Sequence, residues 1–316
     1  MKKSLIALAV AGALTAPMIA QADATLYGVA QYRGIFQDDS SFKNNMAKTR
    51  LGVKGTVDND IEGLTTGFQF EWEFKGDNAS STDSAMNMRK SNVYLKGGFG
   101  NVVFGSQNNP LNATEGYAVL GKSGDAYALV PDRVQNTAAY ITPMFGGAEV
   151  YVALVADGAA DTATESDKDI DLTVVGFNWS GAGFGVSAGI MDESSNTSDS
   201  DESLASVGVK FTGVENLYLA ATYTAVDNDD KSTDEEMYGV GATYAMGKVK
   251  LMANYEAATD KTEAEADQDQ SKIGLGVSYA LGAKAAVAVE YFDFDSDAER
   301  IANKKDQLVL QYTLAF

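Results

Sequence analysis

The side chains best placed to act together in this chain are cations. Arg33, Arg50, Arg89 and Arg133 fall in the first half, and Arg300 is the only arginine beyond them. Where residues alternate with a period of two, Arg33 shares a face with Tyr27 and Gln31, opposite Leu26, Gly28, Ala30 and Tyr32. Arg50, Gly52 and Lys54 likewise oppose Leu51 and Val53. Glu71 and Glu73 oppose Phe68, Phe70 and Trp72. Paired carboxylates could do general acid–base work, but a salt bridge to a neighbouring cation is the plainer expectation. The chain has no histidine and no cysteine, which removes the commonest general base, thiol chemistry and the usual metal ligands. No metal-ligand spacing replaces them. The expectation is a set of fixed charges on a scaffold: no catalytic residues, no metal site, no enzyme.

The elements that must carry these charges are short half-polar strands. In 271–281, Ile273, Leu275, Val277, Tyr279 and Leu281 share one face, and Lys272, Gly274, Gly276 and Ser278 the other. In 247–256, Val249, Leu251, Ala253 and Tyr255 oppose Lys248, Lys250, Asn254 and Glu256. One such strand would also suit a soluble sandwich. Two further regularities separate the cases. Tight connections, such as Met246-Gly247 and Leu281-Gly282-Ala283, alternate with long acidic ones at 157–168, 192–202, 227–236, 257–269 and 295–304. Aromatics recur near strand ends on the apolar face: Trp179, Phe184, Phe211, Tyr223, Tyr244, Tyr255 and Tyr279. Together these describe an all-β transmembrane antiparallel barrel, apolar toward lipid and polar toward water.

Sixteen strands are expected, near 25–36, 48–57, 63–75, 86–96, 101–107, 134–143, 147–156, 169–180, 182–191, 202–212, 215–226, 236–246, 248–257, 270–281, 283–294 and 305–316. A barrel of that size is too wide for its own side chains to fill and keeps a water-filled lumen. One stretch breaks the rhythm. Residues 105–133 are too long for a turn and more apolar than the acidic linkers, and a connection of that kind is expected to fold back into the structure.

Residues 1–22 read as a cleaved export signal, with Lys2 and Lys3 before an apolar Leu5–Leu14 stretch and a small-x-small site at Ala20-Gln21-Ala22. The single barrel domain is then 23–316. Removing the two lysines leaves 44 acidic against 22 basic side chains, a net charge of −22, which argues against nucleic acid as a partner. The chain closes on Leu308, Leu310, Tyr312, Leu314 and Phe316 on one face.

Several short motifs in order resemble a known family. They are Met1-Lys-Lys-Ser-Leu-Ile-Ala-Leu8, Thr25-Leu-Tyr-Gly28, Arg50-Leu-Gly-Val-Lys-Gly55, Gly97-Gly-Phe-Gly-Asn-Val-Val-Phe-Gly105, the spaced Arg133, Asn136, Tyr140 and Pro143, and Phe316. Across its whole length the chain resembles the trimeric general porins of Gram-negative bacteria, in the branch found in Neisseria and Burkholderia relatives. That resemblance implies an outer-membrane homotrimer embedded among lipid and lipopolysaccharide. Its third external loop, about 106–133 here, turns inward and narrows the pore. The terminal Phe316 resembles the signal by which the barrel assembly machinery recognises such proteins.

In such a pore, fixed charges face each other across a constriction. The loop candidates are Glu115, Lys122 and Asp125, and the opposing wall comprises Arg33, Arg50, Lys54, Arg89 and Arg133. The family often carries arginine after the glycine of its fifth strand; Ser106 stands there instead. Arg89 poses a conflict. If it faces inward, strict alternation sends Lys90, Asn92 and Tyr94 outward, and a charge on the lipid face costs ~2–4 kcal/mol at mid-bilayer. A covering subunit would relieve that cost. The implied activity is passive diffusion of ions and small hydrophilic solutes, weakly cation-preferring because of the acidic loops; the alternative is a substrate-specific outer-membrane channel. No cofactor is expected, and weak, diffuse Ca²⁺ or Mg²⁺ binding by the external carboxylates is the ceiling.

Overall fold

The computed structural model describes residues 23–74, 86–117, 129–156, 170–193, 202–228, 234–260, 268–298 and 304–316. The export signal expected at 1–22 lies outside them. The strands are β1 (Asp23–Gln37), β2 (Lys43–Val57), β3 (Thr65–Phe74), β4 (Met86–Gly97), β5 (Gly100–Asn108), β6 (Arg133–Val134), β7 (Thr137–Ile141), β8 (Ala148–Val155) and β9 (Leu172–Gly181). They continue as β10 (Phe184–Glu193), β11 (Glu202–Phe211), β12 (Leu217–Asn228), β13 (Glu235–Met246), β14 (Val249–Asp260), β15 (Gln268–Gly282), β16 (Ala285–Phe294) and β17 (Gln307–Ala315).

Apart from β6 and β7, each strand pairs antiparallel with its sequence neighbours, and β17 returns to pair with β1, so the sheet closes. Both β6 and β7 pair with β5. They form one stave interrupted at Gln135–Asn136, where Asn136 has a φ of 49°. The barrel therefore has sixteen staves. Closure matters energetically because an open edge would leave N–H and C=O groups unpaired in hydrocarbon. The last residue completes the seam: Gly28 N–H donates to the Phe316 carbonyl and Phe316 N–H to the Gly28 carbonyl, each at 3.1 Å. The Phe316 ring lies over Gly28, where a β-carbon would have no room.

Alternation divides the two faces cleanly. On β13, Tyr238, Val240 and Tyr244 are about half exposed, while Met237, just before Tyr238, is 0% exposed. On β11, Val207 and Val209 point out, and Leu204, Ser206 and Gly208 point in. The outward tyrosines Tyr238 and Tyr255 lie 6.2 Å apart, and Phe184 and Phe211 4.8 Å apart, an aromatic belt of the kind that sits at a membrane boundary. Connections at one end are tight. Ala182 and Gly183 take φ values of 50° and 80°, the paired positive dihedrals of a two-residue hairpin turn whose twist matches its strands.

Strand limits differ from expectation chiefly at β2, which begins at Lys43 rather than near residue 48. Lys43, Asn44 and Asn45 have little intrinsic strand preference. They extend because Ile35, Gly34 and Arg33 of β1 lie directly opposite.

The main apolar cluster lies inside the barrel. Tyr151, Ala153, Val174, Met191 and Leu204 line the inner face of β8 to β11, and Leu111 and Val130 from the connection after β5 pack onto them. Burying a side chain such as Leu111 fully stabilises by roughly 1.5–3 kcal/mol. This cluster holds the long connection to the wall.

Candidate functional site

Two inner walls carry the chemistry. On the first, β1 to β4 present the expected cations together with the two glutamates. Arg50 Nε donates to Glu73 Oε1 at 2.8 Å. Arg89 donates through Nε to Glu71 Oε1 and through Nη1 to Glu73 Oε2, each at 3.0 Å. The remaining Glu71 oxygen accepts from the Tyr27 hydroxyl at 3.0 Å, and Gln69 Nε2 donates to that hydroxyl at 2.7 Å. Lys54 Nζ stands 5.5 Å from the centre of the Tyr27 ring. Arg33 donates to Gln31 Oε1 at 3.4 Å. Arg133, at the end of the long connection, lies 3.6 Å from Asp132 Oδ2.

The conflict over Arg89 has a local solution. The β3–β4 register shifts between Glu71 and Trp72: Glu71 pairs with Lys90, but Trp72 pairs with Met88. Arg89 is thus the extra residue of a β-bulge, which leaves one residue unpaired and resets the alternation. Arg89 and Lys90 both turn inward, Met86 and Met88 face out on one side of the bulge, and Val93 and Leu95 on the other. No lipid-facing charge remains at Arg89 or Lys90 for a second subunit to cover, and neither residue points to an oligomer.

The second wall is where the connection after β5 docks. Its helix α1 (Asn112–Glu115) is a single turn. The Thr114 hydroxyl bonds to that of Ser206, which bonds in turn to Thr224 Oγ1 at 2.8 Å. Tyr218 donates to the Tyr117 carbonyl at 2.8 Å, and Lys210 Nζ lies 4.5 Å from the Tyr117 ring centre. The approach is close enough to need glycine. A β-carbon on Gly208 would sit 2.5 Å from the Thr114 carbonyl oxygen, and one on Gly189 2.9 Å from Leu111 Cδ1. Interior strand glycines often mark such an approach of another backbone; that was the legible signal for this docking surface.

Glu115 takes partners other than the arginines expected to oppose it. It is 2% exposed, and its Oε1 accepts the Leu129 and Val130 amides at 3.0 and 3.1 Å. The carboxyl therefore staples the two ends of the connection. Burial pushes it up to about 7; the two amides and the Thr224 hydroxyl oppose the shift, and the Glu256 carboxylate adds to it. Lys122 and Asp125, its expected companions, lie outside the described residues. Beside the docked segment, Lys272 Nζ and Glu256 Oε2 form an ion pair at 3.0 Å with both side chains 0% exposed, and Asn254 donates to Glu256 Oε1 at 2.6 Å. Among the described residues no group of three acidic side chains is arranged to hold a metal ion.

A closed sixteen-stave barrel, with an inward segment and a charged inner wall, has matches among known proteins. The sequence model described as Gram-negative porin matches residues 7–299. The chain belongs to the Gram-negative porin family. Relatives include the major outer membrane protein P.IB of Neisseria gonorrhoeae, 34% identical over 137 residues that span 39% of this porin and 37% of that protein. An outer membrane porin protein of Bordetella pertussis is 26% identical over 300 residues, covering 82% of this porin and 70% of the relative. The match thus spans well under half of the Neisseria protein's length. In fold, the porin resembles the trimer form of OmpT from Vibrio cholerae, with a TM-score of 0.72 and 18% identity over 93% of this chain and 99% of that one. A porin is an outer-membrane protein and not an enzyme.

Proposed function

We propose that this porin is a passive diffusion channel for ions and small hydrophilic solutes, modestly cation-preferring and assembled as a homotrimer. The observation that carries the reading is the docking of residues 109–117 on the inner face of β10 to β12. That segment narrows the water path from one side and leaves it bounded by the charged wall of β1 to β4 on the other. Sieving then depends on the width between the two walls. Ion preference depends on the fixed charges along them.

Cation preference follows from where the charges sit. The end of the barrel with long connections carries Glu193, Glu202, Glu235 and Asp260 at strand termini, and the chain after the export signal has a charge of −22. Such a mouth concentrates cations within a Debye length, roughly 10 Å at 0.1 M salt. The trimer is supported by the fold-level likeness to OmpT in its trimer form. Contacts with lipopolysaccharide and with the assembly machinery, the latter through Phe316, belong to the same proposal.

The test is reconstitution into a planar bilayer under a KCl gradient. The expected result is steps of conductance in multiples of three with a reversal potential on the potassium side. A chloride-side reversal potential would overturn the cation preference. A folded, inserted barrel that carries no current would overturn the channel.

A further inference from the structure

The charged wall of β1 to β4 is not simply basic. Glu71 and Glu73 are surrounded by cations, and their four oxygens accept from Tyr27, Arg89, Arg50 and again Arg89. Arg89 is 8% exposed and engages both carboxylates, while Arg50 and Glu73 remain partly open to the lumen, at 22% and 26% of their side-chain surfaces. Two guanidinium charges are therefore matched in place by two carboxylate charges. The strand pairing builds this arrangement: Arg50 lies directly opposite Glu73, and the bulge at Arg89 swings a second guanidinium across both acids.

We infer that Glu71 and Glu73 are ion-selectivity determinants of this wall, cancelling Arg50 and Arg89 so that these two of its cations do not draw anions into the path. The inference rests on the channel reading. An ion passing along the wall meets Arg50 and Arg89 as halves of compact dipoles, whose field falls off faster than that of single charges. Removing either carboxylate charge would add one uncompensated positive charge beside the ion path, on a wall that also carries Arg33, Lys54 and Lys90. For one unit charge roughly 7 Å from the path in salt water, the potassium-to-chloride permeability ratio changes about two- to threefold.

The test compares Glu73→Gln, Glu71→Gln, Arg50→Gln and the double variant Arg50→Gln with Glu73→Gln, each reconstituted and measured in a KCl gradient. The two glutamate variants are expected to lower the ratio about two- to threefold, and Arg50→Gln to raise it by a similar factor. The double variant removes both members of a neutral pair and is expected to return to the wild-type ratio. A merely structural role predicts otherwise, because the double variant would then be displaced at least as far as the single ones. Wild-type channels that conduct while Glu73→Gln leaves the ratio unchanged would overturn this inference and leave the channel reading standing. Wild-type barrels that insert but pass no current would overturn both.

Discussion

Glu115 offers a prediction whose size follows from its surroundings. The carboxyl sits at about 7 when the segment is docked, against 4.5 for an ordinary glutamate. A folded-state value above the undocked one means that the docked form binds more protons between those two limits. Docking is therefore favoured in full below pH 4.5, weakens as the pH rises, and has lost the whole contribution above about 7. The difference corresponds to roughly 3 kcal/mol, comparable to burying one apolar side chain such as Leu111. Glu115→Gln keeps an oxygen to accept the Leu129 and Val130 amides and has no proton to lose. Hydrogen exchange of the 109–117 amides, followed alongside open-channel current noise from pH 5 to 9, is the direct assay. Once exchange is expressed relative to its intrinsic pH dependence, wild-type protein is expected to lose protection and conduct more noisily as the pH passes 7, and Glu115→Gln to show neither change. A wild-type profile that is flat, or a variant that keeps the same pH dependence, would refute the assignment of the staple to this carboxyl.

Two further perturbations probe the opposite wall. Gly208→Val places a side chain against the Thr114 carbonyl and should lift the segment off its seat. A rise in single-channel conductance with little change in heat stability of the barrel is expected, and unchanged conductance would mean that the segment does not narrow the path. Lys272→Met strands a fully buried Glu256 carboxylate, at a cost of about 3–5 kcal/mol; thermal unfolding in detergent should fall clearly. Adding Glu256→Gln to it should recover most of the loss.

The sequence made the barrel legible because lipid and water demand opposite surfaces from alternate residues. Tyr238, Val240 and Tyr244 against Met237, Gly239 and Gly241 carry that message without help from any other strand. The inward placement of Arg33, Arg50 and Lys54 came from the same rule. Arg89 defeated it because a bulge is a property of two paired strands: nothing within 86–97 marks the residue that β3 will skip. Lys43 to Asn45 were missed for a related reason, since their pairing with β1 outweighs their weak preference. Glu115 could be named as important but not given its partners. Whether a loop carboxylate faces water or its own backbone depends on how the loop closes, and residues 129 and 130 are distant in sequence.

The bulge at Arg89 also bears on how densely charge can be laid along the pore axis. A regular strand presents an inward side chain once every two residues, about 6.8 Å apart, and no choice of amino acids alters that spacing. Placing Arg89 and Lys90 consecutively on one face halves it locally. A single extra residue thus doubles the linear density of positive charge on this stave without lengthening the strand. Deleting that residue would return the stave to ordinary spacing, with Met88 still opposite Trp72 and Lys90 still opposite Glu71, and would cost the inner face one cation.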